Sequence, residues 1–228
     1  MREIIFAVLA ACAMTWGAPA MGQLERITAA EAASALKGAL DQGARAAVAS
    51  LGRADGYLGN PKVKIPLPSS LTKAESTLRR FGMGRYADEL IVAMNRAAEA
   101  AVPEARQLFV DAVKKMTVQD AKGILTGGDT AGTEYFRRTT ESELRARFLP
   151  IVRKATAKVR LAKKYNAYAN HGVRWGLIEE EHADLDEYVT RKALDGLFLT
   201  VADEERKIRK DPLEAGSRIM RKVFGALG

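Results

Sequence analysis

At 228 residues, 47% hydrophobic, 28% charged and with a net charge of +8, the chain has the composition of an ordinary globular protein and length for one or two domains. Aromatic residues make up only 7% while alanine is plentiful, which argues against a sheet of β-branched and aromatic side chains and for helices packed through small ones. The sole cysteine, Cys12, falls in the N-terminal apolar segment, so a chain cleaved beyond it has no disulfide, thiolate nucleophile or cysteine metal site.

The first element in chain order is an export signal over residues 1–22. Met1, Arg2 and Glu3 precede an apolar run from Ile4 to Trp16, and Ala18, Ala20 and Gly22 supply small residues for a cut ahead of Met21 or Gln23. The run is shorter than the roughly 20 residues of a membrane-spanning helix. The bland alternative is a buried or membrane-anchoring N-terminal helix. Leu9, Ala10, Ala11 and Cys12 support another reading, the lipobox of a bacterial lipoprotein with acylated Cys12, although the apolar run continues past the cysteine.

Thr28 and Glu31 form a capping box that opens a helix to Leu51, where Gly52 stops it. Residues 52–69 carry Gly56, Gly59, Pro61, Pro66 and Pro68 around an alternating Lys62 to Leu67, which predicts an extended arm or edge strand laid against helices. Helical spacing resumes over 70–81, 85–101 and, from Pro103, to Lys115. Thr117 and Asp120 cap a short helix over 118–125, which ends at Gly127 and Gly128. A short turn over 130–137 follows. Thr140 and Glu143 then open a long helix whose apolar positions step by three or four residues to Ala162, with Pro150 expected to bend or divide it. Asp184 and Glu187 cap a helix to about Lys210, and Asp211, Pro212 and Glu214 start a last one to about Gly225. The expected fold is all-α: a compact multi-helix domain over 23–228 with one extended Pro/Gly-rich arm.

Charge is local. Residues 137–174 hold eleven basic side chains and two acidic ones, so the rest of the chain is close to neutral. Such a face, residues 145–164 above all, suits an anionic membrane surface or polymer through salt-sensitive attraction. No stacking aromatics and no nucleic-acid-binding signature accompany it, so nucleic acid is not the expected partner. The competing reading is a solvated helix face balanced by Glu179, Glu180, Glu181, Asp184, Asp186 and Glu187.

Catalytic signatures are sparse. His182 lies among acids that can ligate a metal, but no calcium-loop glycine follows, and acids before a helix also complement its dipole. Neither His171 nor His182 has a nucleophile partner, and no Gly-x-Ser-x-Gly or phosphate loop occurs. No metal and no cofactor are expected. Paired carboxylates remain the one route to an enzyme, as an envelope hydrolase.

Polar residues placed close to the core by the periodicity are more informative. Asp195 lies within Leu194 to Phe198, Asn95 and Arg96 lie between Met94 and Ala97, and Arg137 and Arg138 follow Tyr135 and Phe136. Because a buried charge needs a partner, Asp195 is expected to meet Arg96, Arg137 or Arg138, either as a structural ion pair or in a ligand pocket.

The stretches Asp55 to Pro68, Met94 to Ala105, Phe109 to Thr117, Tyr135 to Thr140 and Leu185 to Phe198 together resemble a bacterial exported family known as domain of unknown function 4197. The resemblance runs from about Leu36 to Phe224. It implies a helical protein exported to a Gram-negative envelope, and it carries no catalytic residues. The expected function is non-catalytic binding of a protein partner or small ligand in the periplasm. The candidate residues lie in the arm and the Tyr135 to Thr140 turn, where Gly, Pro, Tyr and Arg concentrate: Tyr57, Asn60, Tyr135, Arg137 and Arg138, with Arg96 and Asp195 beside them.

Overall fold

A computed structural model describes residues 28–82, 84–174 and 184–211, with the backbone alone at 73, 74, 78 and 168–174. The export segment with Cys12, His182 with Glu179 to Glu181, and the helix expected after Asp211 lie outside the described residues. Helix α1 (Ala29–Leu51) starts at its capping box: Thr28 Oγ1 accepts the Glu31 N–H at 3.2 Å, and the Glu31 carboxylate accepts the Thr28 N–H at 2.8 Å. Then come α2 (Ser69–Arg80), α3 (Gly84–Ala101), a 3₁₀ turn at Val102–Glu104, α4 (Ala105–Lys115) and α5 (Val118–Leu125). The second predicted capping box, Thr117 with Asp120, opens α5. The series ends with α6 (Ala131–Thr156), α7 (Arg160–Arg174) and α8 (Leu185–Lys210), the last capped by Asp184 through the N–H groups of Asp186 and Glu187. Among the described residues there are eight α-helices and no strand, and the fold is all-α and compact.

Helices α6 and α8 lie side by side at the centre, with α1 against α8 and α3 against α6. Phe109, Phe136 and Phe198 fill the middle, with ring centroids 4.7 Å and 6.2 Å apart for Phe109 to Phe136 and Phe109 to Phe198. The small side chains along α1, Ala35, Ala39, Gly43 and Ala47, are buried, so helices approach closely there.

Two boundaries differ from the sequence reading. The turn expected over 130–137 and the cap expected at Thr140 are both parts of α6. The hydroxyls of Thr139 and Thr140 donate back to the carbonyls of Tyr135 (2.8 Å) and Phe136 (2.7 Å), a bond available to threonine inside a helix. The N-terminus of α6 is capped instead by a carboxylate from α8: Glu205 accepts the N–H groups of Gly132 (2.9 Å) and Thr133 (2.8 Å). The helix runs on through Pro150, which sits on the exposed side with Ala146, where water can take the carbonyl left unpaired. It stops at Thr156, before the end expected at Ala162, and α7 restarts at Arg160.

The arm over 52–69 forms no strand. It is a series of turns to Val63, then extended chain to Pro68. Its alternation is real: Val63, Ile65 and Leu67 are buried while Lys62, Lys64 and Pro66 are exposed. Helix side chains replace a neighbouring strand. Asn95 accepts the Ile65 N–H at 2.8 Å and donates to its carbonyl at 3.0 Å, a single rung of a sheet supplied by an amide side chain. Glu99 accepts the N–H groups of Tyr57 (3.0 Å) and Leu58 (3.1 Å), and Tyr188 donates to the Pro66 carbonyl at 3.1 Å. The arm is therefore a strap tied across α3 and α8. Gly196 permits this approach, since a Cβ there would lie 2.8 Å from the Tyr57 ring.

Candidate anion-binding groove

The strap does not present the recognition residues expected of it. Tyr57 is fully buried, its hydroxyl donating to the Ala193 carbonyl at 2.6 Å, and burial pushes its pKa far up. Asn60 shapes a turn: its carbonyl accepts the N–H groups of Val63 and Lys64, and its side chain accepts that of Lys62. Arg96 bridges Glu99 (2.6 Å) and Asp55 (2.7 Å), which raises its pKa, Glu99 first. These three residues hold the strap in place.

The ion pair expected between Asp195 and an arginine is not formed. Asp195 is half exposed, and its ion-pair partner is Lys192, 3.9 Å away on the same helix. The reason is angular. On α8, Leu194, Leu197 and Phe198 face inward together, whereas Asp195 is turned about 100° from Leu194 and emerges between packed faces. Asn95, by contrast, is buried as the spacing indicates.

Tyr135, Arg137 and Arg138 lead to a site. Burial raises the pKa of Tyr135, whose hydroxyl donates to the Ala112 carbonyl at 2.9 Å, and its ring lies 5.6 Å below the Arg138 guanidinium. Arg137 sits over the ring of buried Phe198 at 4.5 Å and reaches Glu141 at 3.3 Å. Both arginines open into a groove of about 490 Å³ between α6 and α8. Helix α6 adds Glu141, Ser142 and Arg145, which continue the face of Arg137 and Arg138 over the next two turns, and α8 adds Glu187, Arg191 and Leu194 at steps of four and three. Arg145 directs two N–H groups to one oxygen of Glu187, at 2.9 Å and 3.1 Å, and Arg191 lies 6.0 Å from the Tyr188 ring.

Among the described residues, four guanidinium groups line the groove against two carboxylates. Three of the arginines lie within 6.0 Å of aromatic ring centroids, which favours these positions by about 0.5–1 kcal/mol per contact at exposed sites. The pairs with Glu141 and Glu187 are partly exposed, so each is worth about 1 kcal/mol. The arginines are held in orientation yet can exchange their counterions at little cost. Sequence reasoning pointed to Arg137 and Arg138 but missed Glu141, Ser142, Glu187 and Arg191 as partners in one groove. The turn-to-turn spacing was a signal for each helix, whereas the pairing of α6 with α8 was not.

A second groove, about 400 Å³, opens beside Arg45, Arg53 and Arg106 at the end of α1. None of these three is seated on an aromatic ring among the described residues, so their planes are less constrained. No group of three or more His, Cys, Asp or Glu side chains among the described residues is placed to hold a metal ion. No helix among them is long and apolar enough to cross a membrane.

The family described as Protein of unknown function (DUF4197) matches residues 26–225. The chain belongs to this family. The DUF4197 match takes in the whole of α1 to α8, the strap and both walls of the groove. No curated protein and no solved structure matches the chain. Membership of DUF4197 assigns no activity, so any functional reading rests on the groove.

Proposed function

We propose that the chain is an exported, non-catalytic binding protein of the cell envelope that engages a protein partner or small ligand through the groove between α6 and α8. The observation that carries it is the convergence of Arg137, Arg138, Arg145 and Arg191 on one open groove. Export rests on the plan of residues 1–22. A carboxylate-dependent hydrolase has less support. An acid and a base of distinct role need distinct surroundings, yet Glu141 and Glu187 both sit in exposed ion pairs with arginine.

The test joins cell fractionation, mass spectrometry of the mature N-terminus and a photocrosslinker at Ser142. An envelope protein beginning at Met21 or Gln23, with a partner captured at Ser142, is expected. An acylated Cys12 at the N-terminus would give a tethered form instead. An intact Met1 in the cytoplasmic fraction overturns export. A folded Arg137→Ala/Arg138→Ala variant that keeps every partner overturns the groove.

One observation favours a second reading, peripheral attachment to anionic membrane. Lys154, Lys158, Arg160, Lys163 and Lys164 are exposed and form no ion pair among the described residues. Sedimentation with anionic vesicles that depends neither on lipid charge nor on salt ends this reading.

A further inference from the structure

We infer that the α6–α8 groove takes an acidic peptide segment of a partner protein, whose carboxylates replace Glu141 and Glu187 as counterions of Arg137 and Arg145. The inference rests on the reading of the groove as a binding site and names its ligand class. One feature favours a carboxylate. The resident acids already occupy carboxylate positions, with Glu187 receiving two N–H groups of Arg145 and Glu141 lying 3.3 Å from Arg137. A planar guanidinium fork matches carboxylate and phosphate alike, so the resident acids are what favour the carboxylate, and comparison with inorganic phosphate separates the two.

Further features select a peptide. The groove is lined by two neighbouring helices and is not an enclosed cavity, so a chain can be laid between them. Its lining is rich in arginine, a residue type on which protein interfaces concentrate their affinity, with the apolar Leu194 beside it. Arg138 is poised for such a ligand. It is held over Tyr135, yet its ion-pair partner Asp120 lies at 4.0 Å, too far for a hydrogen bond.

The experiment follows fluorescence anisotropy of a labelled oligoglutamate peptide with the purified full chain. Arg138→Glu/Arg145→Glu should weaken binding by about tenfold or more. Glu141→Gln/Glu187→Gln should strengthen it severalfold, because the internal competitors are gone. Arg106→Glu/Lys115→Glu on α4, an equal change in net charge, should leave it unchanged, and circular dichroism confirms that each variant folds.

Equal weakening by the α4 variant, or no gain from the glutamine variant, overturns the inference. So does single-stranded DNA or inorganic phosphate binding as tightly through the same arginines, which would make the groove a general oxyanion site. If the peptide does not bind while Ser142 still crosslinks a partner, the ligand class fails and the groove stands. If neither occurs, both readings fail.

Discussion

Replacing Glu205 tests whether the groove walls are locked to each other from within. Its carboxylate, 5% exposed, accepts N–H groups from Gly132 and Thr133, the Thr133 hydroxyl at 2.8 Å, and the guanidinium of Arg209 at 2.9 Å. Glu205→Ala leaves the first turn of α6 without its cap and takes the carboxylate from a guanidinium whose side chain is only 14% exposed, while the bond from Arg209 to the Ile124 carbonyl at 2.9 Å remains. Removing one member of a buried, hydrogen-bonded pair costs about 3–5 kcal/mol. For a chain of this length that corresponds to a fall in Tm of about 6–20 °C. Glu205→Gln keeps one acceptor but turns an amide NH₂ toward a backbone donor, and should lose about 1–3 kcal/mol. Thermal and urea unfolding followed by circular dichroism give both values. A loss below about 1 kcal/mol for Glu205→Ala would refute the view that this carboxylate ties α8 to α6.

Other substitutions probe the strap and the start of α8. Gly196→Ala drives a methyl group into the Tyr57 ring and should cost about 1–3 kcal/mol, read from urea unfolding; an unchanged midpoint would show that the strap can shift aside. Asn95→Ala leaves the buried N–H and carbonyl of Ile65 without their amide partner, so about 2–4 kcal/mol is expected, with faster hydrogen exchange at Ile65. Asp186 gives a pH dependence. Burial holds its carboxyl above the ordinary aspartate range, assisted by Asp184 and opposed by Thr156, Arg153 and Asn166. The folded state therefore binds more protons than the unfolded state between the ordinary value and the raised one, and stability falls as pH rises through that window. Asp186→Asn should gain stability over the parent at neutral pH and lose that gain on acidification. Melting curves between about pH 4 and pH 8 check this, and a gap between the two proteins that is constant with pH would contradict it.

Local chemistry was legible in the sequence where it is settled within one turn of helix. The capping boxes of Thr28 and Thr117, the Asp184 cap and the stop at Gly52 depend on residues four or fewer apart, and they appear where spacing placed them. The start of α6 was not legible, because its cap comes from Glu205, more than seventy residues on. Thr140 looked like a cap since threonine serves both purposes, and only the Glu205 carboxylate decides between them. The strap shows the same division. Its alternation was readable, but its partner is three helix side chains and not a strand, which no periodicity in residues 52–69 encodes. At the groove, Arg137 and Arg138 stood out by composition, whereas their ring supports and opposing acids follow from the packing of α6 on α8.

The strap is held from inside: Asn95, Glu99 and Tyr188 grip main-chain atoms of residues 57, 58, 65 and 66, and the side chains of Tyr57, Val63, Ile65 and Leu67 are buried. Apart from Asp55, paired with Arg96, and Lys62, paired with Asp203, the outward side chains take no part in this attachment among the described residues. Lys64, exposed between two gripped positions, can be replaced by cysteine and labelled while the fastening remains. A fluorophore there would report release of the strap from α3 independently of anything that happens in the groove.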